Sequence, residues 1–540
     1  MKTVIVGGVA GGMSAATRLR RLDELAEIVV FERGPYVSFA NCGLPYYVGG
    51  VIADRDSLLL QTPETLAARF RLDVRVSHEV TVIDPVAKVV QVRDVTTGTL
   101  TTEGYDTLVL AAGANARELP GADRRTFTLR TIDDVDNITM LLESARAPVA
   151  AVVVGGGFIG LEAVDNLVRR GVQTSIIHRG PHLFGHLDPE MSSLVLDELL
   201  AHGVTVRLSS SIASINSSTV TLDDGAELPA DLVIDAAGVT PAVALARTAG
   251  LALGPSGGIS VDLNQRTSDP SIFAIGDGVE KVDAVDGSPE LVTMAGLANR
   301  HGRAAADAIA GRAHSSRPAL GTAIIAVFSK TVATTGWSET RLRTAGRPFR
   351  TVHTHPWSHA SYYPGAEQMA MKLLIDPRDD SILGAQIVGG SGVDKRIDVI
   401  ATAMTAGMTA SSLQDLELAY APQYGSAKDP INLLGYVADN LVAFPGSTVQ
   451  WHELDDALSQ GDRLIDVRSP AEFAGGHIPG SVNIPLEQLR DRHHEIGGDL
   501  ITHCQVGQRG HTATRMLTQL GRRARNLDGG YLTWKAGVRP

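Results

Sequence analysis

The sequence predicts an α/β protein of several domains. Three observations carry that prediction. A strand, glycine turn, helix and second strand open the chain (KTVIVGGVAGGMSAATRLRRL running to EIVVFERG). The same pattern returns in APVAAVVVGGGFIGLEAVDNLVRRGVQTSIIHRG. A separate small α/β pattern, RLIDVRSPAEFAGGHIPGSVNIP, follows a Phe-Pro-Gly-Ser-Thr stretch that looks like a linker. Each of the first two runs has the length of one βαβ unit: an apolar strand, a turn that needs glycine, and a helix packing back on the sheet. Between the glycine turns and the last unit, AIIAVFSKTVATTGWS and MAMKLLIDPRDDSILGAQIVGG read as sheet-forming runs separated by turn signals.

Composition narrows the function classes. The chain has 540 residues, 44% hydrophobic and 20% charged, with a formal net charge of −12. That length suits several domains, and the acidic balance without a basic tract argues against nucleic acid. No uninterrupted apolar run is long enough to span a membrane. The N-terminus reads as a strand and not as a signal peptide, so a cytoplasmic location is expected. Two cysteines, Cys42 and Cys504, lie far apart in sequence. They exclude a disulfide framework and a cysteine-rich metal site, and no metal is expected.

The glycine turns point to dinucleotides. Gly155, Gly157 and Gly160 fit G-x-G-x-x-G, with Phe158 and Ile159 opening the helix whose N-terminus faces a pyrophosphate. The first turn, Gly7, Gly8, Val9, Ala10, Gly11 and Gly12, keeps the outer glycines but has Val9 in the middle. Glu32, followed by Arg33, ends the second strand, where a carboxylate can bind ribose hydroxyls. With Ala112 and Gly113 closing an apolar strand, and Gly276 and Asp277 in AIGDG, two nucleotides are expected: FAD and a nicotinamide donor. The second unit ends in His178 and Arg179 where a ribose carboxylate is usual, which favours NADPH over NADH.

VGGVAGGMSAA, SFANCGLPYYVGG, GGGFIGLE, AIGDG and AYAPQYGSAKDPIN together resemble the pyridine nucleotide-disulfide oxidoreductases over about residues 1–445. The similarity is to the single-cysteine branch, which holds coenzyme A-disulfide reductases, NADH oxidases and peroxidases, and NAD(P)H persulfide reductases. It implies two Rossmann-like units and a dimerisation domain. The expected boundaries are 1–115 and 241–318 for FAD, 116–240 for NAD(P), and an α+β dimerisation domain over 319–445. It also implies that Cys42 lies against the flavin as the sole redox thiol. A thiolate is the attacking species, so a lowered Cys42 pKa is expected. Tyr420, Tyr424 and Lys428 match a tail that the partner subunit of a homodimer contributes, although Gln423 and Gly425 depart from the usual Pro and Ser. Tyr362 or Tyr363 resembles a tyrosine near the reactive sulfur, where a phenol can protonate a leaving group. Ser14, Arg18, Arg21, Ser38 and Asn41 match coenzyme A-binding positions by place, and His301 is a further candidate.

Residues 447–540 resemble an α/β rhodanese domain. CQVGQRG supplies its loop, with four residues between Cys504 and Arg509. A nest of backbone N–H groups at Gly507 would stabilise a persulfide on Cys504, with Arg509 at the rim. The expected activity is NAD(P)H-dependent reduction of a small-molecule substrate: a coenzyme A disulfide, a coenzyme A persulfide or a polysulfide. Two alternatives stay open: an oxidase or peroxidase cycling Cys42 through sulfenate, and a slow redox sensor or sulfur carrier.

Overall fold

The computed structural model describes residues 1–312 and 315–539. The chain forms two compact units. One comprises Met1–Arg179 with Ser210–Gly321; the other comprises Gly180–Ser209 with the chain from Thr322 onward.

The first unit holds both glycine turns. Strands Ile272–Ala274, Thr107–Leu110, Lys2–Val6, Glu27–Phe31 and Asp73–Arg75 lie in that order in one parallel sheet. Beyond their first residues the middle strands are wholly buried and rich in Val, Ile and Leu, as strands covered on both faces are. Helix Ala10–Leu22 packs on helix Ala295–Ile309 at close range. A Cβ on Gly302 would stand 2.3 Å from the carbonyl oxygen of Gly11. A second parallel sheet runs Gln173–Ile177, Ala150–Val154, Leu232–Asp235, Thr126–Phe127. The segment Gly180–Ser209, expected within the nicotinamide-binding domain, clusters instead with the second unit.

Two five-stranded sheets lie among the described residues of the second unit from Thr322 onward. The first is antiparallel in the order Ala323–Val327, Lys330–Gly336, Ile382–Gly389, Ala370–Ile375, Arg350–Thr354. Helices Val393–Ala406 and Pro430–Ala443 share a core with it that includes Met371, Leu373, Ile397, Ile400, Ile431 and Leu434. Asp429 caps the second helix by accepting from the N–H of Ile431, with Pro430 at the first helical position.

The second sheet is parallel, in the order Thr448–Val449, Ala524–Leu527, Leu500–His503, Arg463–Asp466, Val482–Asn483. Residues 444–447, expected to be a linker, are pinned at both ends. The Arg515 guanidinium lies 3.4 Å from the Phe444 ring centroid, and the N–H of Asn526 donates to the Ser447 carbonyl at 2.8 Å. Among the described residues no helix is long and apolar enough to cross a membrane.

Candidate active site

The first unit contains a cavity of about 730 Å³. Its walls include Gly7, Val9, Ala10, Gly11, Glu32, Arg33, Asn41, Ala112, Gly113, Gly276 and Asp277. Backbone geometry explains the glycines. Gly7 has φ +107°, and a Cβ there would sit 2.3 Å from the Ala111 carbonyl oxygen. A Cβ on Gly12 would sit 1.9 Å from the carbonyl oxygen of Gly7, so the helix could not approach the strand. Glu32 holds the turn: its carboxylate accepts from the N–H of Gly8 at 2.7 Å and of Gly34 at 2.8 Å.

The second turn repeats this geometry. Gly155 has φ +112°, and a Cβ on Gly160 would lie 1.8 Å from the Gly155 carbonyl oxygen. A Cβ on Gly157 would meet nothing within 4 Å, so the middle of this turn opens onto free space. Phe158 and Ile159 begin helix Phe158–Arg169 there. The N–H of Gly156 donates to His178 Nδ1 at 3.1 Å, which leaves the ring proton of neutral His178 on Nε2. Arg179 is exposed.

Cys42 is exposed in a 3-10 turn, Asn41–Gly43, followed by the short helix Leu44–Val48. Its Sγ lies 3.8 Å from Asn41 Oδ1, and Asn41 lines the cavity. The thiol pKa is raised, contrary to expectation. Partial desolvation is the larger cause, and the carboxylates of Glu162 and Asp277 add to it. Glu162 is itself pushed up by burial and accepts from the Tyr46 hydroxyl at 3.0 Å. Asp277 is also raised by burial, opposed by the charges of Lys281 and Arg130. Glu162 and Tyr46 were not picked out from sequence, although Glu162 ends the GGGFIGLE motif and Tyr46 lies within SFANCGLPYY.

The coenzyme A-type candidates spread along the first helix and its neighbours. The Ser14 hydroxyl donates to Asn299 Oδ1. Arg18 is committed to Asp307 at 2.6 Å. Arg21 lies 5.4 Å from the Phe70 ring centroid. Ser38 has φ +51° and donates its N–H to the Gly8 carbonyl at 2.8 Å. His301 is buried in helix Ala295–Ile309, and burial together with the charges of Lys281 and Arg300 pushes it down to about 4.

In the second unit two segments meet: the N–H of Ala360 donates to the Gly425 carbonyl at 2.9 Å. That contact brings the Tyr362 and Tyr420 hydroxyls to 3.3 Å. Both phenols are exposed, as is Tyr424, and Tyr363 presents an edge to His359 at 5.8 Å. Lys428 is exposed beside Asp429, whose carboxylate accepts from Arg396 at 2.9 Å.

Cys504 differs in every respect. It is fully buried at the end of strand Leu500–His503, and Gly507 (φ +88°) caps helix Gln508–Gln519 three residues later. Arg509 grips Glu472 through Nη2 and Nη1, at 2.5 and 2.9 Å. Its pKa is raised by that hydrogen bond and by the neighbouring Cys504. Arg468, not singled out from sequence, is buried against Asp466, donates to Gln505 Oε1 at 3.0 Å and lies 4.5 Å from the Tyr531 ring centroid.

With this geometry in place, the likeness to known proteins is specific. Residues 1–298 match the model of the pyridine nucleotide-disulphide oxidoreductases, 322–429 that of their dimerisation domain, and 450–537 that of a rhodanese-like domain. A coenzyme A disulfide reductase of Staphylococcus epidermidis is 34% identical over 438 residues, covering 81% of this chain and 99% of that protein. The reduced Bacillus anthracis CoADR-RHD superposes with a TM-score of 0.97 at 44% identity, over 99% of this chain and 98% of that one. A NAD-dependent persulfide reductase from A. fulgidus gives 0.93 at 35% identity, over 99% and 100%.

Proposed function

This chain belongs to the pyridine nucleotide-disulphide oxidoreductase family, and from that premise we propose that it reduces a coenzyme A disulfide or persulfide with NAD(P)H, working through Cys42. The observation that carries the reading is the placing of one exposed thiol beside a cavity framed by a dinucleotide turn, Glu32 and Asp277.

The residues present fit FAD. The Gly7–Gly12 turn gives the backbone room to approach a pyrophosphate, Glu32 lies where ribose hydroxyls are read, and Asp277 lines the same cavity. When bound, FAD supplies two-electron passage between nicotinamide and sulfur. Gly155, Gly157 and Gly160 cradle the nicotinamide nucleotide, and Arg179 reads a 2′-phosphate, with His178 beside it.

The sulfur chemistry belongs to Cys42. Its thiolate attacks one sulfur of the substrate S–S bond, forming a mixed disulfide with coenzyme A. The leaving group is a coenzyme A thiolate from the disulfide, or hydrosulfide from the persulfide. Two electrons from NAD(P)H then cleave the mixed disulfide. They return Cys42 as a thiolate and release coenzyme A, which takes up a proton. The net reaction converts one NAD(P)H, one proton and one disulfide into NAD(P)⁺ and two thiols. Because reduction delivers the sulfur as a thiolate, a raised resting pKa does not block the cycle. A second chain completes the site in this reading. Its Tyr362, Tyr420 and Tyr424 serve as proton donors to the leaving sulfur and its Lys428 binds substrate, while Ser14, Arg21, Ser38 and Asn41 line the approach. Cys504 carries sulfane sulfur, with Arg509 stabilising the negative charge. Free cysteines throughout suit a reducing compartment, here the cytoplasm.

The test is a panel of coenzyme A disulfide, coenzyme A persulfide, polysulfide, oxygen and peroxide with each nucleotide, following nicotinamide absorbance. Sulfur substrates should dominate. Oxygen or peroxide turnover exceeding all of them would overturn the reading.

A further inference from the structure

The second unit holds a buried charge cluster that the proposed chemistry does not use. Lys372 Nζ donates to Glu190 Oε1 at 2.6 Å and Glu339 Oε2 at 2.7 Å, and lies 3.0 Å from Asp188 Oδ2. Three carboxylates so close could be read as a metal site, but the ammonium already stands among them. Glu190 Oε1 also lies 3.0 Å from His353 Nε2, and Asp528 Oδ2 lies 2.8 Å from His353 Nδ1 and accepts the His353 N–H at 2.9 Å. His353, Glu190, Asp528 and Lys372 are all buried.

The geometry sets the charge of His353. An ionised carboxylate only accepts, so two carboxylates facing the two ring nitrogens call for an N–H on each. Burial opposes the imidazolium, but the hydrogen bonds to Asp528 and Glu190 outweigh it and lift His353 to about 9. Lys372 in turn helps hold Glu190 well below the usual carboxylate range despite its burial. The remaining charged or titratable neighbours are Asp188, Glu339 and, on the outer side of Glu339, Arg343 and His452. His355, two residues on, is kept neutral by burial and by the charge on His353.

Asp528 sits one step from the rhodanese-like loop. Gly529 and Gly530 follow it, with φ +65° and +64°. A Cβ on Gly529 would stand 2.8 Å from His353 Cβ, and one on Gly530 would stand 2.5 Å from the Cys504 carbonyl oxygen. The two glycines form a thin spacer between His353 and the Cys504 loop. The N–H of Tyr531 then donates to the Cys504 carbonyl at 2.8 Å, and that of Leu532 to the Gln505 carbonyl at 3.1 Å. A second tie, His355 Nε2 to Thr533 Oγ1 at 2.8 Å, holds the same helix, Gly530–Gly537.

We propose that His353 is a positioning residue for sulfur transfer: by bridging Glu190 and Asp528 it fixes the Asp528–Gly530 turn, and through it the Cys504 loop, so that reactivity at Cys504 depends on the charge at residue 353. The proposal rests on the reading of Cys504 as a sulfur carrier. Its sign follows from the raised pKa. The bridge is at full strength below about 6.5, the ordinary histidine value, and is lost as pH rises through about 9.

The experiment compares the full-length flavoenzyme with its H353Q, D528N and C504S variants at equal flavin content. Thiosulfate:cyanide sulfur transfer is followed from pH 6 to 10, with coenzyme A disulfide reduction as the internal control. Wild-type transfer should fall along an alkaline limb near pH 9. H353Q should lower kcat at neutral pH by about tenfold or more, as a displaced reacting group does, and should lack that limb. D528N should resemble it. Disulfide reduction should stay near wild type in both. H353Q with wild-type kcat and an unchanged pH profile overturns the proposal. If C504S still transfers sulfur, or wild type does not, the parent reading fails instead. The bridge is then judged by amide hydrogen exchange at Tyr531 and Leu532, which H353Q should accelerate at a fixed pH. Unchanged exchange there overturns the bridge whatever the activity.

Discussion

Cys42 and Cys504 stand in opposite settings. Cys42 is exposed on a short turn, and its electrostatic neighbours are the carboxylates of Glu162 and Asp277. Cys504 is fully buried behind its loop, with Arg509 beside it and Arg468 holding Gln505. An exposed thiol can meet a substrate as large as a coenzyme A disulfide, while acidic neighbours discourage a resting thiolate. A buried thiol beside a guanidinium suits a single extra sulfur atom bearing negative charge. In the proposed function the two sites divide the sulfur chemistry by size and by charge.

Substitution at each cysteine separates the two thiols. Cys42→Ser should keep FAD, because the glycine turn, Glu32 and Asp277 are untouched, yet lose reduction of disulfide and persulfide by roughly 10⁶-fold, as loss of a nucleophile does. Flavin content and steady-state turnover of the same preparation check it. Cys504→Ser should do the reverse: thiosulfate:cyanide transfer falls to background while coenzyme A disulfide turnover stays near wild type.

Much of the local architecture was legible in the sequence. The glycine turns announce themselves because Gly7 and Gly155 need a positive φ, and Gly12 and Gly160 a contact that no side chain permits. Cys42 and the tyrosines were legible only through resemblance, since no periodicity marks an exposed thiol. Long-range pairs were not legible at all. Arg18 pairs with Asp307, 289 residues away, Tyr46 with Glu162 across 116, and Lys372 with Glu190 across 182. The raised Cys42 thiol has the same origin, because two of its causes are carboxylates that the fold brings in from distant motifs.

Smaller effects sharpen the contrast. Arg179→Glu should weaken NADPH relative to NADH by about tenfold to a hundredfold, the cost of an ion pair to phosphate; the ratio of the two KM values reports it. Glu162→Gln removes one of the carboxylates that raise the Cys42 thiol, so that thiol should titrate lower. Alkylation of the reduced enzyme at neutral pH should then speed up, because more of the thiol is present as thiolate. Cys504 should show no change under the same label.

In the proposed mechanism Cys42 alone exchanges with the S–S bond of a coenzyme A disulfide. The most direct measurement treats the reduced enzyme with coenzyme A disulfide in the absence of nicotinamide nucleotide and maps the adduct by peptide mass spectrometry. One coenzyme A per chain on the Cys42 peptide, discharged as free thiol by one equivalent of NAD(P)H, is the predicted result. An adduct confined to Cys504, or one on Cys42 that NAD(P)H does not release, would contradict it.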